Sequence, residues 1–321
     1  MTRHAAVVFN PTKVERERIG EVIAAIEAEA GWAASEWIET TPEDAGVAQA
    51  RRAVEGGADL VLAAGGDGTV RAVAEALRGT DVPLGLLPFG TGNLLARNLG
   101  LELNLARLED SVRTAFRGQD RAIDVGVIDI RRETGEGERH AFLVMAGLGL
   151  DAKMIANTRP ELKRRVGWLA YVDAIARSLV DKNVLRIRYR LDSAEERATR
   201  VHSIMVGNCG QLPGGVVLLP EATVDDGLFE IVTLRPEGFG GWARIWLAIT
   251  WENGVLRRSQ VGRKILSMRG DIRTMRYLRG KQIDVRLDRP EEFELDGDEF
   301  GKVVWFSARV DPGALRVRVP A

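Results

Sequence analysis

The chain has 321 residues, 45% of them apolar and 28% charged, with a formal net charge of −1. That composition suits an ordinary globular protein long enough for two domains and a substantial core. No apolar run reaches the roughly 20 residues of a membrane span, and a single cysteine, Cys209, excludes an internal disulfide.

The opening MTRHAAVVFNP holds an apolar stretch too short for a signal peptide, so a cytoplasmic chain is expected. AAVVF reads as a strand ending at Asn10-Pro11, and RERIGEVIAAIEAEAG as an amphipathic helix stopped by Gly31. ASEWIETT is a second short strand. PEDAGVAQARRAVEGG is a second helix, with Pro42 in its first turn. Strand DLVLAAG, helix TVRAVAEALRG, strand PLGLLPFG and helix NLLARNLG follow. This alternation predicts a parallel sheet with helices on both faces. Ligands of such sheets bind beyond the strand C-termini, which here are the loops NPTK, TTPED, GGDGT and PFGTGN.

From about Ile123 the pattern changes. AIDVGVIDIRR, RHAFLVMAGLG, VLRIRYRLD, RVHSIMVGNCG, VVLLPEA, GLFEIVTLRP, QIDVRLDRP, EEFELDGDEF and VVWFSARVDP are strand-like runs bounded by turn residues. Most lead into another strand, which predicts an antiparallel second domain, a sandwich or barrel, over 124–310. Two helical segments, roughly 159–180 and 239–267, interrupt it. His4, His140 and His202 fit no triad or metal spacing and read as structural, and no Cys/His cluster suggests zinc.

AAGGDGTVRAV carries the first chemical signal. Gly65, Gly66 and Gly68 let the backbone turn sharply and approach a ligand closely, and Thr69 can cap a helix whose first N–H groups face the loop. The loop is neither G-x-G-x-x-G nor a P-loop, because the Walker lysine is missing. Asp67 within the glycines would repel phosphate unless a cation or a hydroxyl donor stood between them. It therefore points to a magnesium nucleotide, or to an alcohol awaiting a phosphoryl group. The alternative is that Asp67 caps the loop's own amides. LLPFGTGNLLARNLG repeats the device with Pro88, Gly90, Thr91, Gly92 and Asn93. With FNPTK, the two loops form three walls of a nucleotide cleft.

FNPTK, GGDGTV, PFGTGNLLARNLG, AIDVG, GLGLDA, PEATVDDGLFEIV and ELDGDEF occur in this order across nearly the whole chain. The pattern resembles the diacylglycerol kinase catalytic-domain superfamily, which includes bacterial diacylglycerol kinases, sphingosine kinases and ceramide kinases. NAD kinases and 6-phosphofructokinases share only the GGDG-type loop. The resemblance implies an NAD kinase-like α/β domain over 1–123 with a closing strand from 311–321, a β-sandwich carrying the lipid site, and ATP with Mg2+ as cofactors. It places the nucleotide against Asn10, Pro11, Thr12, Lys13, Val14, Thr40 or Thr41, then Gly66, Asp67, Gly68, Thr69, Val70, Arg71, Ala72 and Thr91. Asp67 would organise the ATP–magnesium site, and Asp124 is a further acidic position tied to activity. A structural Mg2+ would sit on Asp226 and the carbonyls of Thr223 and Leu228. Asp298 would be the general base, with Glu299 as its alternative, and Asp151 would hold a substrate head group.

Three positions depart from the family pattern: Asp298 stands where glutamate is usual, Arg71-Ala72 where Asn-Glu is common, and Leu94 where aspartate is frequent. Aspartate can transfer the proton but is one methylene shorter.

Charge is uneven along the chain: ten basic against three acidic residues from Lys153 to Arg190, and eleven against three from Arg235 to Lys281. Lys163, Arg164 and Arg165 lead into Trp168 and Tyr171, and Trp242, Trp246 and Trp251 lie near arginines. Trp beside Arg suits an interfacial surface, so peripheral membrane contact is expected; the tryptophans could instead fill the second domain's core. The reading is an ATP-dependent kinase for a lipid alcohol. A kinase for a soluble alcohol such as NAD and a nucleotide-binding protein without catalysis are the alternatives, and no nucleic-acid motif accompanies the arginines. An edge strand of the second domain could pair across a homodimer.

Overall fold

The computed structural model describes residues 2–101, 108–149, 184–212, 216–235 and 275–321. In the first third, β1 (Ala5–Phe9), β2 (Glu36–Glu39), β3 (Leu60–Gly65) and β4 (Leu84–Pro88) alternate with helices. These are α1 (Arg16–Ala30), α2 (Val47–Glu55), α3 (Asp67–Leu77), α4 (Leu94–Asn98) and α5 (Leu108–Arg117). β1 pairs in parallel with β2 and β3, and β3 in parallel with β4. Val7, Phe9 and Leu62 pack with Ile19, Ile23 and Ile26 of α1 and Val112 and Phe116 of α5. Ala6, Val8 and Val61 share the other core with Ala50 and Ala53 of α2 and Val70, Val73 and Leu77 of α3. Helices on both faces explain why β1 and β3 are buried along their whole length.

Two local outcomes differ from the expectations. α5 was not expected, although LEDSVRTAFR sets Val112, Ala115 and Phe116 on one buried face. Pro42 precedes α2 instead of opening it, because Asp44 ends the loop first. Its carboxylate accepts the N–H groups of Gly46, Val47 and Ala48 at 2.9, 2.7 and 3.0 Å. Burial works against the Asp44 charge, but the three amides prevail and hold its carboxyl below the ordinary range. Asp44→Ala should therefore cost about 1 kcal/mol of stability at neutral pH. A lowered folded pKa means the contribution is present above the unfolded value of 3.8 and disappears as pH falls through the folded one. Urea unfolding at neutral and acid pH checks this.

The remainder is strand after strand: β5 (Gln119–Arg131), β6 (Gly137–Phe142), β7 (Met145–Leu148), β8 (Leu185–Leu191), β9 (Arg197–Val201) and β10 (Ser203–Gly207). Then follow β11 (Gln211–Leu212), β12 (Val216–Val217), β13 (Phe229–Leu234), β14 (Met275–Gly280), β15 (Gln282–Leu295) and β16 (Asp298–Val319). β14, β13, β10 and β7 form one antiparallel run. β9, β8, β15, β16, β5 and β6 form another. β15 belongs to both: residues 283–287 pair with β8, and 293–295 pair with β7. A register shift between Arg286 and Glu291, around Pro290, lets one strand turn this corner. Phe142, Phe229, Phe293 and Phe306 fill the core of the resulting sandwich.

Two expected strand divisions change. RHAFLVMAGLG is two strands, β6 and β7, broken at Leu143-Val144. QIDVRLDRP and EEFEL are one strand, β15. The end of β16 returns to the first domain, where Val317 pairs in parallel with Leu84 of β4. The helical segments expected over 159–180 and 239–267 lie outside the described residues. Among the described residues, no helix is long and apolar enough to cross a membrane.

Candidate active site

Three loops at the C-terminal ends of β1, β3 and β4 meet. At the first, the Asn10 carboxamide accepts the Thr12 N–H and hydroxyl at 2.9 and 2.7 Å, while its carbonyl accepts the amides of Lys13 and Val14. This Asx-type turn fixes the loop and sends Lys13 across to Gly66. A Cβ placed on Gly66 would lie 2.5 Å from Lys13 Nζ. No carboxylate among the described residues pairs with that ammonium, which leaves it facing the glycine loop as a free cation.

The second and third loops touch backbone to backbone. A Cβ on Gly90 would come within 2.8 Å of Gly66 Cα, so glycine is required for this approach. Asp67, the first residue of α3, spans the junction. Its Oδ2 accepts the Asn93 N–H at 2.9 Å and its Oδ1 the Leu94 N–H at 2.5 Å. The sequence offered Asp67 a cation, a hydroxyl donor or its own loop's amides; the structure gives it the amides of the neighbouring loop. Asn93, with φ of 47°, returns its carboxamide oxygen to the Gly90 N–H at 2.8 Å. Burial pushes the Asp67 carboxyl above its ordinary range, the Asn93 and Leu94 amides oppose this, and the charge of Asp298 adds to it.

Asp298 arrives from the second domain. Leu295 and Asp298 pair across a two-residue turn, Asp296-Gly297, whose φ values are 49° and 90°. Two positive φ values are the signature of a tight type I′ hairpin. At its far side, Asp298 Oδ2 would lie 2.8 Å from a Cβ on Gly68 and accepts a hydrogen bond from Arg71 Nη2 at 3.2 Å. The Arg71 side chain is 12% exposed, and its guanidinium lies over the Phe300 ring at 4.8 Å. Its Nε has no partner among the described atoms, so one buried donor stays unused beside the glycine loops. Two of the departures from the family pattern, Arg71 and Asp298, thus contact each other.

Asp296 is a site residue the sequence reading did not single out. Its fully buried carboxylate accepts the N–H groups of Leu143, Val144 and Met145 at 2.9, 2.8 and 2.9 Å. Those amides are freed by the break between β6 and β7. Burial pushes this carboxyl up to about 6, against the three amides and the Arg71 charge. D-G-D was the available signal, but the partners are backbone groups and carry no sequence mark.

The other expected residues divide. Val14, Thr69, Val70 and Ala72 are buried, so their side chains serve packing, and Thr69 lies against Gly65. Thr40 is buried after β2, Thr41 accepts the Asp44 N–H through its hydroxyl at 3.1 Å, and Thr91 and Pro11 are exposed. Asp124 is 2% exposed and belongs to a separate cluster. Its Oδ2 accepts the Gly227 N–H at 2.6 Å, its Oδ1 the Gly313 N–H at 2.8 Å, and its amide donates to the Val224 carbonyl. It ties the 223–228 loop to β16. Asp151 lies outside the described residues.

The two implied magnesium positions differ in fit. Asp226 Oδ2 accepts from Arg279 Nη2 at 2.5 Å and its Oδ1 from the Leu228 N–H at 3.0 Å. Asp225 is held by Arg121. Both acids of the 223–228 loop are neutralised by arginine. To hold a cation with the Thr223 and Leu228 carbonyls, Asp226 would first have to release Arg279. Asp67 and Asp298 are likewise engaged, by two amides and by Arg71, but the Asp298 charge adds to the rise of the Asp67 carboxyl, a repulsion that a hard cation entering with phosphate would relieve.

Comparison with known proteins gives the family. The diacylglycerol kinase catalytic domain matches residues 4–128, and the YegS C-terminal NAD kinase beta sandwich-like domain matches 143–245. The chain is 33% identical over 280 residues to a "Probable lipid kinase YegS-like" of Pseudomonas aeruginosa, covering 85% of this chain and 82% of that one. It is 31% identical over 185 residues to a "Diacylglycerol kinase" of Mycobacterium tuberculosis, 58% of each. Its fold matches the crystal structure of a putative diacylglycerol kinase from Bacillus anthracis with a TM-score of 0.72 at 19% identity, covering 98% and 94% of the two chains. Yeast NADH kinase follows at 0.54 and 10%, covering 99% and 83%. The chain belongs to the diacylglycerol kinase-type family of lipid kinases.

Proposed function

We propose that this protein transfers the γ-phosphoryl group of ATP to the hydroxyl of diacylglycerol or a closely related lipid alcohol. The observation that carries the reading is one corner of the molecule at which Lys13, two glycine loops and Asp298 converge. Lys13 and the N-terminus of α3 favour negative charge and cradle the phosphates. Asp298 takes the acceptor's proton as its oxygen bonds to the γ-phosphorus, and the bond from that phosphorus to the bridging oxygen breaks to leave ADP. Arg71 holds Asp298 in place and offers its unused donor to the charge that develops. Asp67 keeps the two loops closed around the phosphates; a magnesium ion carried by the nucleotide would lie beside it and neutralise phosphate charge. Catalysis is mostly positioning and charge neutralisation. Asp124 acts at a distance, by fixing the 223–228 loop to the strand that bears the base. The protein would work from the cytoplasm at the membrane face that holds its acceptor.

One contact favours a second reading, ATP binding without transfer: Asp298 Oδ2 already has a partner in Arg71. Radiolabelled ATP offered with diacylglycerol, sphingosine, ceramide and NAD in detergent micelles separates the readings. Labelled phosphatidic acid supports the proposal. Label only on sphingosine, ceramide or NAD reassigns the acceptor, and bound nucleotide with no labelled product supports the second reading.

A further inference from the structure

The solvent face of the second domain carries like charges set directly opposite each other. β8 reads LRIRYRL: Leu185, Ile187 and Tyr189 are buried, and Arg186, Arg188 and Arg190 are exposed. Register places Arg188 opposite Arg286 of β15, Arg286 opposite Trp305 of β16, and Trp305 opposite Arg131 of β5. Four strands thus present an Arg-Arg-Trp-Arg row. One row along β8, Arg186 faces Arg200 of β9. Directly opposed like charges destabilise a sheet, yet none of Arg186, Arg188, Arg200 and Arg286 has a carboxylate partner among the described residues. Nearby Arg190 does, in Asp284 at 3.0 Å, so partners were available to this surface. Arg131 lies over the Trp305 ring at 5.3 Å from its centroid. The row borders a cleft of about 480 Å³ lined by Arg131, Arg188, Arg190, Arg286 and Trp305 against two acids, Glu196 and Asp284.

We propose that this row docks the protein on a bilayer rich in anionic phospholipid. Its charge is complementary to such a surface, and a half-buried tryptophan flanked by arginines suits the headgroup layer, where an aromatic body meets apolar chains and a cation meets phosphate. The choice of a bilayer over another polyanion rests on the lipid-acceptor reading above. Trp305 and Asp298 lie on the same strand, roughly 23 Å apart along it at 3.3 Å per residue. The row therefore retains the enzyme on the surface that holds its acceptor and takes no part in the chemistry.

The test is co-sedimentation with phosphatidylcholine vesicles, with and without phosphatidylglycerol, at low and high salt, alongside duplex DNA. Each arginine at such a surface contributes about fivefold, so Arg188→Ala with Arg286→Ala should weaken partition onto anionic vesicles about thirtyfold. Arg52→Ala with Arg113→Ala, on the helices of the first domain, should leave it unchanged. Equal binding by the row variant and the wild type overturns the proposal, as does binding to DNA without binding to vesicles. Micelle assays of the same variants keep the two readings apart. Normal phosphorylation with lost vesicle binding supports both. Absent phosphorylation with the expected loss of binding leaves docking standing and removes the kinase reading.

Discussion

Asp298→Asn should lower turnover by roughly 10²–10⁴-fold, the range of a positioned general base, while the protein keeps its fold. The second half of that expectation follows from how Asp298 is held. Its side chain is 48% exposed, and its recorded hydrogen bond is to Arg71. Asparagine presents an oxygen to the same guanidinium, so the stability change should stay within about 1 kcal/mol, as for exposed ion pairs. The measurement is turnover at saturating ATP and lipid beside a urea melt of the same variant. Full turnover in Asp298→Asn would pass the base to Glu299, and Glu299→Gln would then have to lose it. Gly68→Ala gives an independent check on position. Its methyl would stand 2.8 Å from Asp298 Oδ2, so the carboxylate must move. A displacement of that size in a catalytic group costs up to about 10²-fold without removing the base.

The pair formed by Arg71 and Asp298 gives meaning to a departure that looked like decay. A shortened base alone suggests lost activity. A shortened candidate base with an arginine from α3 against it is a different construction of the same corner. The arginine spans the gap to the β15–β16 hairpin, and Gly68 lets the carboxylate come close. The two residues lie 227 positions apart in the chain, and their contact depends on both domains.

What the sequence made legible follows from locality. The glycine loops announce themselves because glycine spacing, a strand before and a helix after are all within a dozen residues. α1 and β1 to β4 follow from periodicity for the same reason. The partners of Asp67 were hidden because the amides of Asn93 and Leu94 come from the next loop. Any residue type but proline could have supplied them. The break between β6 and β7 was hidden likewise: FLVMAG is apolar throughout, and what interrupts it is a buried carboxylate more than 150 residues downstream. β8's alternation of arginine and apolar residues is plain in LRIRYRL, but the row across four strands exists only once register is known. α5 is a different case. Its pattern was local and present, and nothing distant concealed it.

Asp296→Ala should cost roughly 3–5 kcal/mol of stability, because it orphans two buried N–H groups and a half-buried one at once. Asp296→Asn separates the hydrogen bonds from the charge. Its carboxamide oxygen can keep Val144 and Met145, which share Oδ1, while its NH2 meets the Leu143 N–H without an acceptor. That substitution should cost about 1–2 kcal/mol, and its pH dependence is diagnostic. The folded carboxyl titrates at about 6 and the unfolded one near 3.8, so between those values the folded state binds more protons. Wild-type stability therefore gains most from this group below the lower value, falls as pH rises through about 6, and changes no further above it. Asparagine does not titrate. The stability difference between wild type and Asp296→Asn, measured by urea unfolding across this window, should shrink as pH rises. A difference that stays constant would mean the buried carboxylate is ionised throughout, with the three amides outweighing its burial. In either outcome the same clamp holds the hairpin that carries Asp298, so loosening it should also lower turnover with little change in the KM for ATP.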